Sequence, residues 1–452
     1  MASTYLTRTV SSASNRKTWT YSAWIKRSGG IGNTQTLLVS WSDGNNHSKI
    51  RLESDKVHVY DLTGGSFSYQ VKTNRLLRDT NAWYHIVVAF DTTQATASNR
   101  LKIYINGEQE TSLAESSYPA EDYEGFINRN RVHSIGYNAN NSNYFDGSMS
   151  HINLVDGTAL TPSAFGSTDS TTGEWKINTS PSVTYGTNGF FILKDGNSVT
   201  DQSGQGNNWT VGSGTLTKTE DCPSNVFCTL NVLNGARPTG GIAGVLKYGN
   251  TEFRDGENGS NFSYVAGTIG ANSGKYYWET KVTDLAEIDQ VGVALASSSF
   301  VGATNTHGLQ ATHYGGKGCQ FSNGNKVGDG SQSAYMGGFS VNDIMMVALD
   351  LDNNKITFGR NGQWADGSGY ANQTYANSTA AYTNLTAGEY YVPAQAKRAS
   401  GANYGTNNYN FGNGYFGTTA VASAGTNASG IGIFEYDVPT GFTALSTKGL
   451  NE

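Results

Sequence analysis

Paired carboxylates are the residues in this chain whose spacing comes nearest to chemistry on a glycosidic bond. A Glu-x-Asp-x-x-Glu run supplies a nucleophile and an acid from its outer two members. Three Glu-x-Asp starts occur, Glu53/Asp55, Glu287/Asp289 and Glu435/Asp437, and the fifth position after each glutamate holds His58, Gly292 and Thr440. None completes the run, so all three read as solvated strand or turn carboxylates. No phosphate-binding glycine loop precedes a helix and no Gly-x-Ser-x-Gly elbow occurs. The expected catalytic set is empty, and the chain is expected not to be an enzyme.

Oxygen-rich turns offer a second chemistry. Asp43 stands in Asp-Gly-Asn-Asn, and Asp195 and Asp201 flank a Gly-Asn turn. Such turns can hold calcium, although Asp, Asn and Gly are also what turns use and a full calcium loop is missing. These three are the Ca²⁺ candidates; no other cofactor is expected. His85 falls in an apolar strand pattern and reads as a hydrogen-bonded core residue, while His307 and His313 have no Cys or acid beside them. Cys222, Cys228 and Cys319 read as free buried thiols, with no partner at zinc-ligand spacing.

Aromatic side chains in loops are the third possibility. Two stretches, 365–388 and 399–430, hold mostly Gly, Ala, Asn, Ser and Thr, with Tyr370, Tyr375, Tyr382, Tyr404, Tyr409, Tyr415 and Phe416 among them. Loops longer than about 12–15 residues are usually functional or disordered, and tyrosine offers a flat ring with a polar tip. Tyr370, Tyr375, Tyr404, Tyr409 and Tyr415 are the candidate ligand-binding residues. The competing reading is that they cover the fold or fill a subunit interface.

The elements that must position these groups repeat. Residues 83–109, WYHIVVAFDTTQATASNRLKIYINGEQ, and 343–364, DIMMVALDLDNNKITFGRNGQW, each run from an apolar strand to an aspartate (Asp91, Asp350), a polar turn, an alternating strand and Asn-Gly (Asn106-Gly107, Asn361-Gly362). Alternation of Leu101, Ile103 and Ile105 with Lys102 and Tyr104 has the period of a half-buried strand. Asn-Gly supplies the positive φ of a tight hairpin. The four polar residues are therefore expected to shape turns, with any binding in the loops the hairpins hold. Strands are also expected near 5–10, 19–26, 36–41, 49–53, 56–61, 67–72, 131–137, 147–155 and 189–194, separated by turn residues such as Gly64-Gly65.

A chain of 452 residues suits two β domains better than one core. Charged residues make up only 15% beside 26 tyrosines and 56 glycines, which argues against disorder and for an all-β fold rich in turns. Net charge of −6 without a Lys/Arg cluster removes the electrostatic footprint of nucleic-acid binding. No apolar run is long enough to span a membrane. The start, MASTYLTRTV, has no apolar core of a cleaved leader.

The order of TWTYSAWIKRS, NAWYHIVVAFD, RLKIYINGEQ and FDGSMSHINLVDGTALTPSAFG resembles that of laminin-G-like, concanavalin A-like domains. The resemblance spans about the first 215 residues and implies Trp24 and Trp83 in the core, with 147–156 a central strand. GKYYWETKV (274–282), LDLDNNKITF and the Tyr-x-Pro strand (Tyr391, Pro393) resemble the SPRY domain, a jelly-roll relative. DQSGQGNNWTV (201–211) and FEYDVPTGF (434–442) resemble segments of virion proteins of marine tailed bacteriophages. The resulting expectation is all-β, two antiparallel jelly-roll domains in tandem, at 1–218 and 239–452 with a connector at 219–238. The implied protein is a non-enzymatic virion component, on the tail or decorating the capsid. It would be made in the host cytoplasm and displayed on the particle surface. Its partners would be other virion proteins, further copies of itself and a host-surface glycan, with no nucleic acid and no membrane insertion. Decoration without glycan contact is the second reading, and a polysaccharide depolymerase the third.

Overall fold

The computed structural model describes the chain except residues 1–3, 29, 141, 195, 197, 232–233, 235–243, 257–261, 301–306, 399–403, 452 and the side chain of His313. The described residues form β-strands with a few single-turn 3₁₀ helices, and no helix among them is long and apolar enough to cross a membrane. The chain divides into two compact units, 1–218 and 219–452. Each is an antiparallel β-sandwich.

The first unit contains β1 (Tyr5–Thr9), β2 (Thr18–Arg27), β3 (Gln35–Asp43), β4 (Asn46–Glu53), β5 (Lys56–Thr63), β6 (Ser66–Thr73), β7 (Trp83–Asp91), β8 (Leu101–Ile105), β9 (Glu108–Gln109), β10 (Leu113–Ser117), β11 (Val132–Ile135), β12 (Gly147–Asp156), β13 (Gly166–Thr168), β14 (Trp175–Ile177), β15 (Phe190–Ile192) and β16 (Thr210–Ser213). Eight strands form a large sheet in the order β10-β6-β5-β4-β3-β11-β1-β16, and six form a second in the order β15-β12-β2-β7-β8-β9. Alternation decides what lies between them. Leu38, Ile50, Leu52, Val57 and Val59 of the large sheet meet Tyr21, Ala23, Ile25, Ile86, Val88 and Phe90 of the second in one core.

The outer faces differ. Val87, Ala89, Tyr104, Val155 and Phe191 on the second sheet are covered by Phe165 and Tyr185 from the segment that follows β12. No hydrophobic cluster among the described residues packs on the outer face of the large sheet.

In the second unit a seven-stranded sheet runs in the order Leu230–Asn231, Ser263–Gly267, Tyr391–Arg398, Ile288–Leu295, Lys317–Gln320, Lys326–Gly328, Ser331–Ser333. It packs on a nine-stranded sheet centred on Lys275–Asp284 and Ile344–Asp350, whose ninth strand, Thr443–Ala444, pairs in parallel with the first of these. Val265, Val291, Val293 and Phe321 face Trp278, Met345, Val347, Leu349 and Phe358 across the core. Both outer faces here are covered. Phe300, Leu309 and Tyr314 lie over the seven-stranded sheet, and Phe227, Phe434, Val438 and Phe442 lie over Tyr277, Met346 and Trp364 of the other.

Both Asn-Gly sequences make the expected turns. Asn106 and Gly107 have φ of 49° and 83°, and Asn361 and Gly362 have 50° and 83°, the left-handed pair a two-residue hairpin needs. Each asparagine also ties to the start of the neighbouring strand. Asn106 Oδ1 accepts from His85 N at 2.8 Å, and Asn361 Oδ1 accepts from Ile344 N at 2.8 Å. Asp91 and Asp350 accept from the turns that follow them, through Thr93 and Asn353.

The nine strands expected in the first half are all present, and Trp24 and Trp83 are buried. The long stretches read as loops are only partly so. Within 365–388 lies Ala371–Gln373, and within 399–430 lie Thr406–Asn410, Tyr415–Phe416 and Thr419–Ala420. Residues 227–231, read as connector, belong to the second unit, where Phe227 and Cys228 are core residues and Leu230–Asn231 is a sheet strand. The three thiols are free, but Cys222 is half-buried where full burial was expected.

Candidate functional site

The uncovered face of the large sheet carries a continuous group of aromatic and charged side chains. In β4, Ser48, Ile50 and Leu52 turn inward, which puts His47, Lys49, Arg51 and Glu53 outward. Register then places Trp41 of β3 beside His47, Tyr60 of β5 beside Lys49, and His58 beside Arg51. Trp41 and His47 stack with ring centroids 4.9 Å apart, Tyr60 meets His47 edge-on at 5.7 Å, and Phe67 meets Tyr60 edge-on at 5.4 Å. Phe67 remains 49% exposed.

The cations lie on these rings. Lys49 Nζ is 5.1 Å from the Trp41 ring centre and 5.9 Å from that of Tyr60, and the Arg51 guanidinium is 4.6 Å from Tyr60. Glu53 is shared by Arg51 at 2.5 Å, Lys72 at 2.6 Å and His58 at 3.1 Å. Burial would raise its carboxyl, but the Lys72 hydrogen bond and the surrounding positive charge hold it below the usual range. Burial lowers His47 and His58 to about 4, with Lys49 charge adding at His47 and Arg51 charge at His58. Lys49 is lowered to about 7 by burial and then by Arg51, and Tyr60 is raised to about 12 by burial.

Toward β1 the face becomes an open groove of about 790 Å³ lined by Tyr5, Thr7, Trp41, Asp43, Arg131 and Tyr137. Tyr5 stacks on Tyr137 at 4.3 Å and Tyr137 on Tyr144 at 5.0 Å, so aromatic surface continues past the edge of the Trp41 group. Flat rings beside hydroxyls, amides and charges can hold a sugar ring by stacking while hydrogen-bonding its hydroxyls.

The candidate tyrosines do not form one site. Tyr370 is 67% exposed. Tyr375 packs edge-on against Trp364 and Phe442 under the covering segment. Tyr404 lies beneath the Arg254 guanidinium at 5.0 Å. Tyr409 is not in a loop but in a central strand, 1% exposed, and its hydroxyl donates to Gln395 Oε1 at 2.7 Å; it cannot reach a ligand. Tyr415 is half-buried beside Phe416, which borders a hollow of about 250 Å³ with Tyr248, Glu252 and Lys281. Burial of Tyr409 removes it as a contact residue, whereas Tyr375 is half-buried.

The calcium candidates fare similarly. Asp43 lies at the rim of the groove, but its oxygens accept from Asn45 N and Asn46 Nδ2. Asp201 accepts from Phe191 N, Ser203 N, Ser203 Oγ and Asn207 N, which saturates it with turn donors. Asp195 lies outside the described residues. No group of three or more His, Cys, Asp or Glu among the described residues is arranged to hold a metal ion. Asp43 and Asp201 are thus committed to donors of their own turns.

In two of the three Glu-x-Asp pairs the aspartate is not solvated as expected. Asp55 is buried, paired with Arg27 and Arg78 at 2.8 Å each and accepting from Gly32 N. Asp289 is buried against Lys397 at 3.0 Å and accepts from Gln395 and Asn407. Glu435 and Asp437 accept backbone donors of Ala422 and Thr426. Each oxygen set is thus committed to structure. His85 is the hydrogen-bonded core residue it was read to be. Trp175 Nε1–H donates to its Nδ1 at 2.9 Å, so Nε2 carries the proton toward Ser22 Oγ at 2.9 Å. In that tautomer the imidazole cannot take a proton from Ser22.

The face was missed at the sequence level because binding was expected in the loops and its residues sit in strands. The available signal was the run His47, Lys49, Arg51, Glu53 alternating with Ser48, Ile50, Leu52.

Residues 2–166 match the family model described as the concanavalin A-like lectin/glucanases superfamily. No curated protein matches the chain. Among solved structures it is similar to the SPRY domain of human HERC1, with 18% identity over 38% of this chain and 95% of that one, TM-score 0.29. A further human SPRY domain shows 9% identity over 38% and 96%, TM-score 0.27. Domain 4 of AbnA, a GH43 extracellular arabinanase from Geobacillus stearothermophilus in complex with arabinotriose, shows 20% identity over 33% and 65%, TM-score 0.26.

Proposed function

We propose that the chain is a non-enzymatic bacteriophage virion protein, displayed on the particle, whose first unit recognises host-surface carbohydrate. The observation that carries the recognition is the open face of the large sheet, where Trp41, Tyr60 and Phe67 lie beside Arg51, Lys72 and the Asp43 rim. The lectin/glucanase match of residues 2–166 supports it. Display on a virion rests on the resemblance of the 201–211 and 434–442 segments to phage proteins. Binding without turnover is supported by the commitment of the Glu-x-Asp carboxylates to ion pairs and turns.

Full-length protein is expected to bind host envelope glycans, and Trp41→Ala to weaken that binding with the fold intact. Absence of binding, together with normal adsorption of virions that lack the protein, would remove the recognition role. Release of reducing ends from those glycans would instead make it a depolymerase.

Assembly on the particle without glycan contact is the second reading. Val245 and Tyr248, on and just after the outermost strand of the nine-stranded sheet, are 40% and 48% exposed and leave an apolar edge for a neighbour. A particle map would locate that contact.

A further inference from the structure

We propose that the open face of the first unit selects acidic polysaccharides, with a sugar carboxylate seated against the Lys49 ammonium and Arg51 beside it. This deepens the carbohydrate-recognition reading and rests on it.

The argument starts from unbalanced charge. Lys49, Arg51 and Lys72 face outward with Glu53 among them and Glu115 of β10 across from Lys72, so that no carboxylate is placed beside Lys49. Glu53 already serves Arg51, Lys72 and His58. Asp43, the other acid near the groove, is occupied by its own turn. Lys49 therefore has no ion pair or hydrogen bond among the described residues, although only 5% of it is exposed; its charge rests on the faces of Trp41 and Tyr60. A largely desolvated ammonium without an anion is costly to bury. A neutral sugar would leave that imbalance in place. A carboxylate on a sugar stacked along Trp41 would correct it.

A carboxylate also couples binding to the Lys49 proton, since only the charged amine pairs with it. With Lys49 lowered to about 7, affinity should be flat below pH 7 and fall toward about tenfold per pH unit above it. The groups facing Lys49 do not titrate in that window. His47 and His58 do so near 4, Tyr60 near 12, and Glu53 and Asp43 below the usual carboxylate range. Arg51, Lys72 and, along the groove, Arg131 are the remaining cations.

The test is calorimetric titration of the full chain with an acidic panel (polygalacturonate, alginate, hyaluronan) and a neutral panel (dextran, pullulan, galactan), from pH 6 to 9. Preference for acidic polymers is expected, weakening with added salt and above pH 7. Lys49→Met should weaken acidic binding about tenfold, and Lys49→Arg should retain it while removing the decline above pH 7. Thermal melts of both variants report whether they fold. Equal binding to both panels, or affinity for acidic polymers unchanged from pH 6 to 9, would overturn the acidic selection and leave recognition standing. Binding to neither panel would also overturn the acidic selection, and the host-glycan and adsorption test above then decides the recognition role separately.

Discussion

The indole N–H of Trp175 donates to Nδ1 of His85 at 2.9 Å, and the Trp175 ring lies on Gly107 of the Asn-Gly turn. The bond holds His85 in the neutral tautomer and fastens the β13–β14 hairpin over the second sheet. In the second unit Tyr436 sits on Gly362 in the same way, and its backbone N–H donates to Glu279. The doubled hairpin is thus more than scaffold: each Asn-Gly glycine is where a covering segment docks.

Neutral His85 makes the first unit sensitive to acid. Burial lowers His85 to about 3 and His133, also deep in the unit, to about 4. Both are depressed from 6.5, so the stability they contribute is present above pH 6.5 and lost as pH falls toward those values. Each should remove on the order of 1.4 kcal/mol per pH unit between about pH 6 and 4.5. Imidazole NMR should show His85 still neutral at pH 5 in the folded protein, with the melting temperature of the first unit already falling. An imidazolium signal from folded protein at that pH would contradict the tautomer.

Glu279 gives the second unit the opposite slope. Burial raises its carboxyl to about 7, against the hydrogen bonds from Glu435 N, Tyr436 N, Tyr277 and Asn410 that favour the charged form. A raised carboxyl contributes stability that is full below its unfolded value near 4.5 and lost as pH rises through 7. The swing is on the order of 3 kcal/mol. Glu279→Ala should flatten this slope and leave those four donors unpaired, at about 3 kcal/mol. Urea unfolding at pH 5 and 8, with limited proteolysis across 422–437, reads both effects. A variant whose stability still declines from pH 5 to 8 as wild type does would place the titration elsewhere.

The turn glycines allow a graded comparison. A Cβ at Gly107 would enter the Trp175 ring closer than real carbon contacts permit, whereas one at Gly362 would meet Tyr436 at 3.0 Å. Both positions also carry a left-handed φ, worth about 1–2 kcal/mol against alanine. Gly362→Ala should therefore lose about that much, and Gly107→Ala clearly more, by thermal denaturation. Equal losses would mean that Trp175 yields without cost.

What the sequence disclosed was local, and what it hid depended on distant segments. Asn106-Gly107 and Asn361-Gly362 carry their turn geometry in two residues, and alternation in β4 and β8 is visible in five. Asp55 and Asp289 looked solvated because Arg27 and Lys397, which pair with them, lie on other strands. Tyr409 looked like a loop residue because Gly and Asn surround it, yet those asparagines are buried with it, and Asn407 and Asn410 bond to Asp289 and Glu279. Which sheet face stays open was the least legible feature. It is decided by where the segment after β12 docks, and no single strand records that.

The last prediction separates the face from the loops. Trp41 is half-buried at the edge of the groove, stacked on His47 with Lys49 over its ring, so Trp41→Ala removes exposed ring surface without opening the core. Glycan binding should weaken about fivefold, the equivalent of ~1 kcal/mol of ring contact, with little change in melting temperature. Tyr409→Phe should do the reverse: it strips the hydroxyl from Gln395 inside the core, lowering stability by about 1 kcal/mol and leaving binding unchanged. Tyr370→Ala, on an exposed loop of the other unit, should alter neither. Glycan affinity and melting temperature measured on the three variants together assign the site. Lost binding in Tyr370→Ala with full binding in Trp41→Ala would return it to the loops.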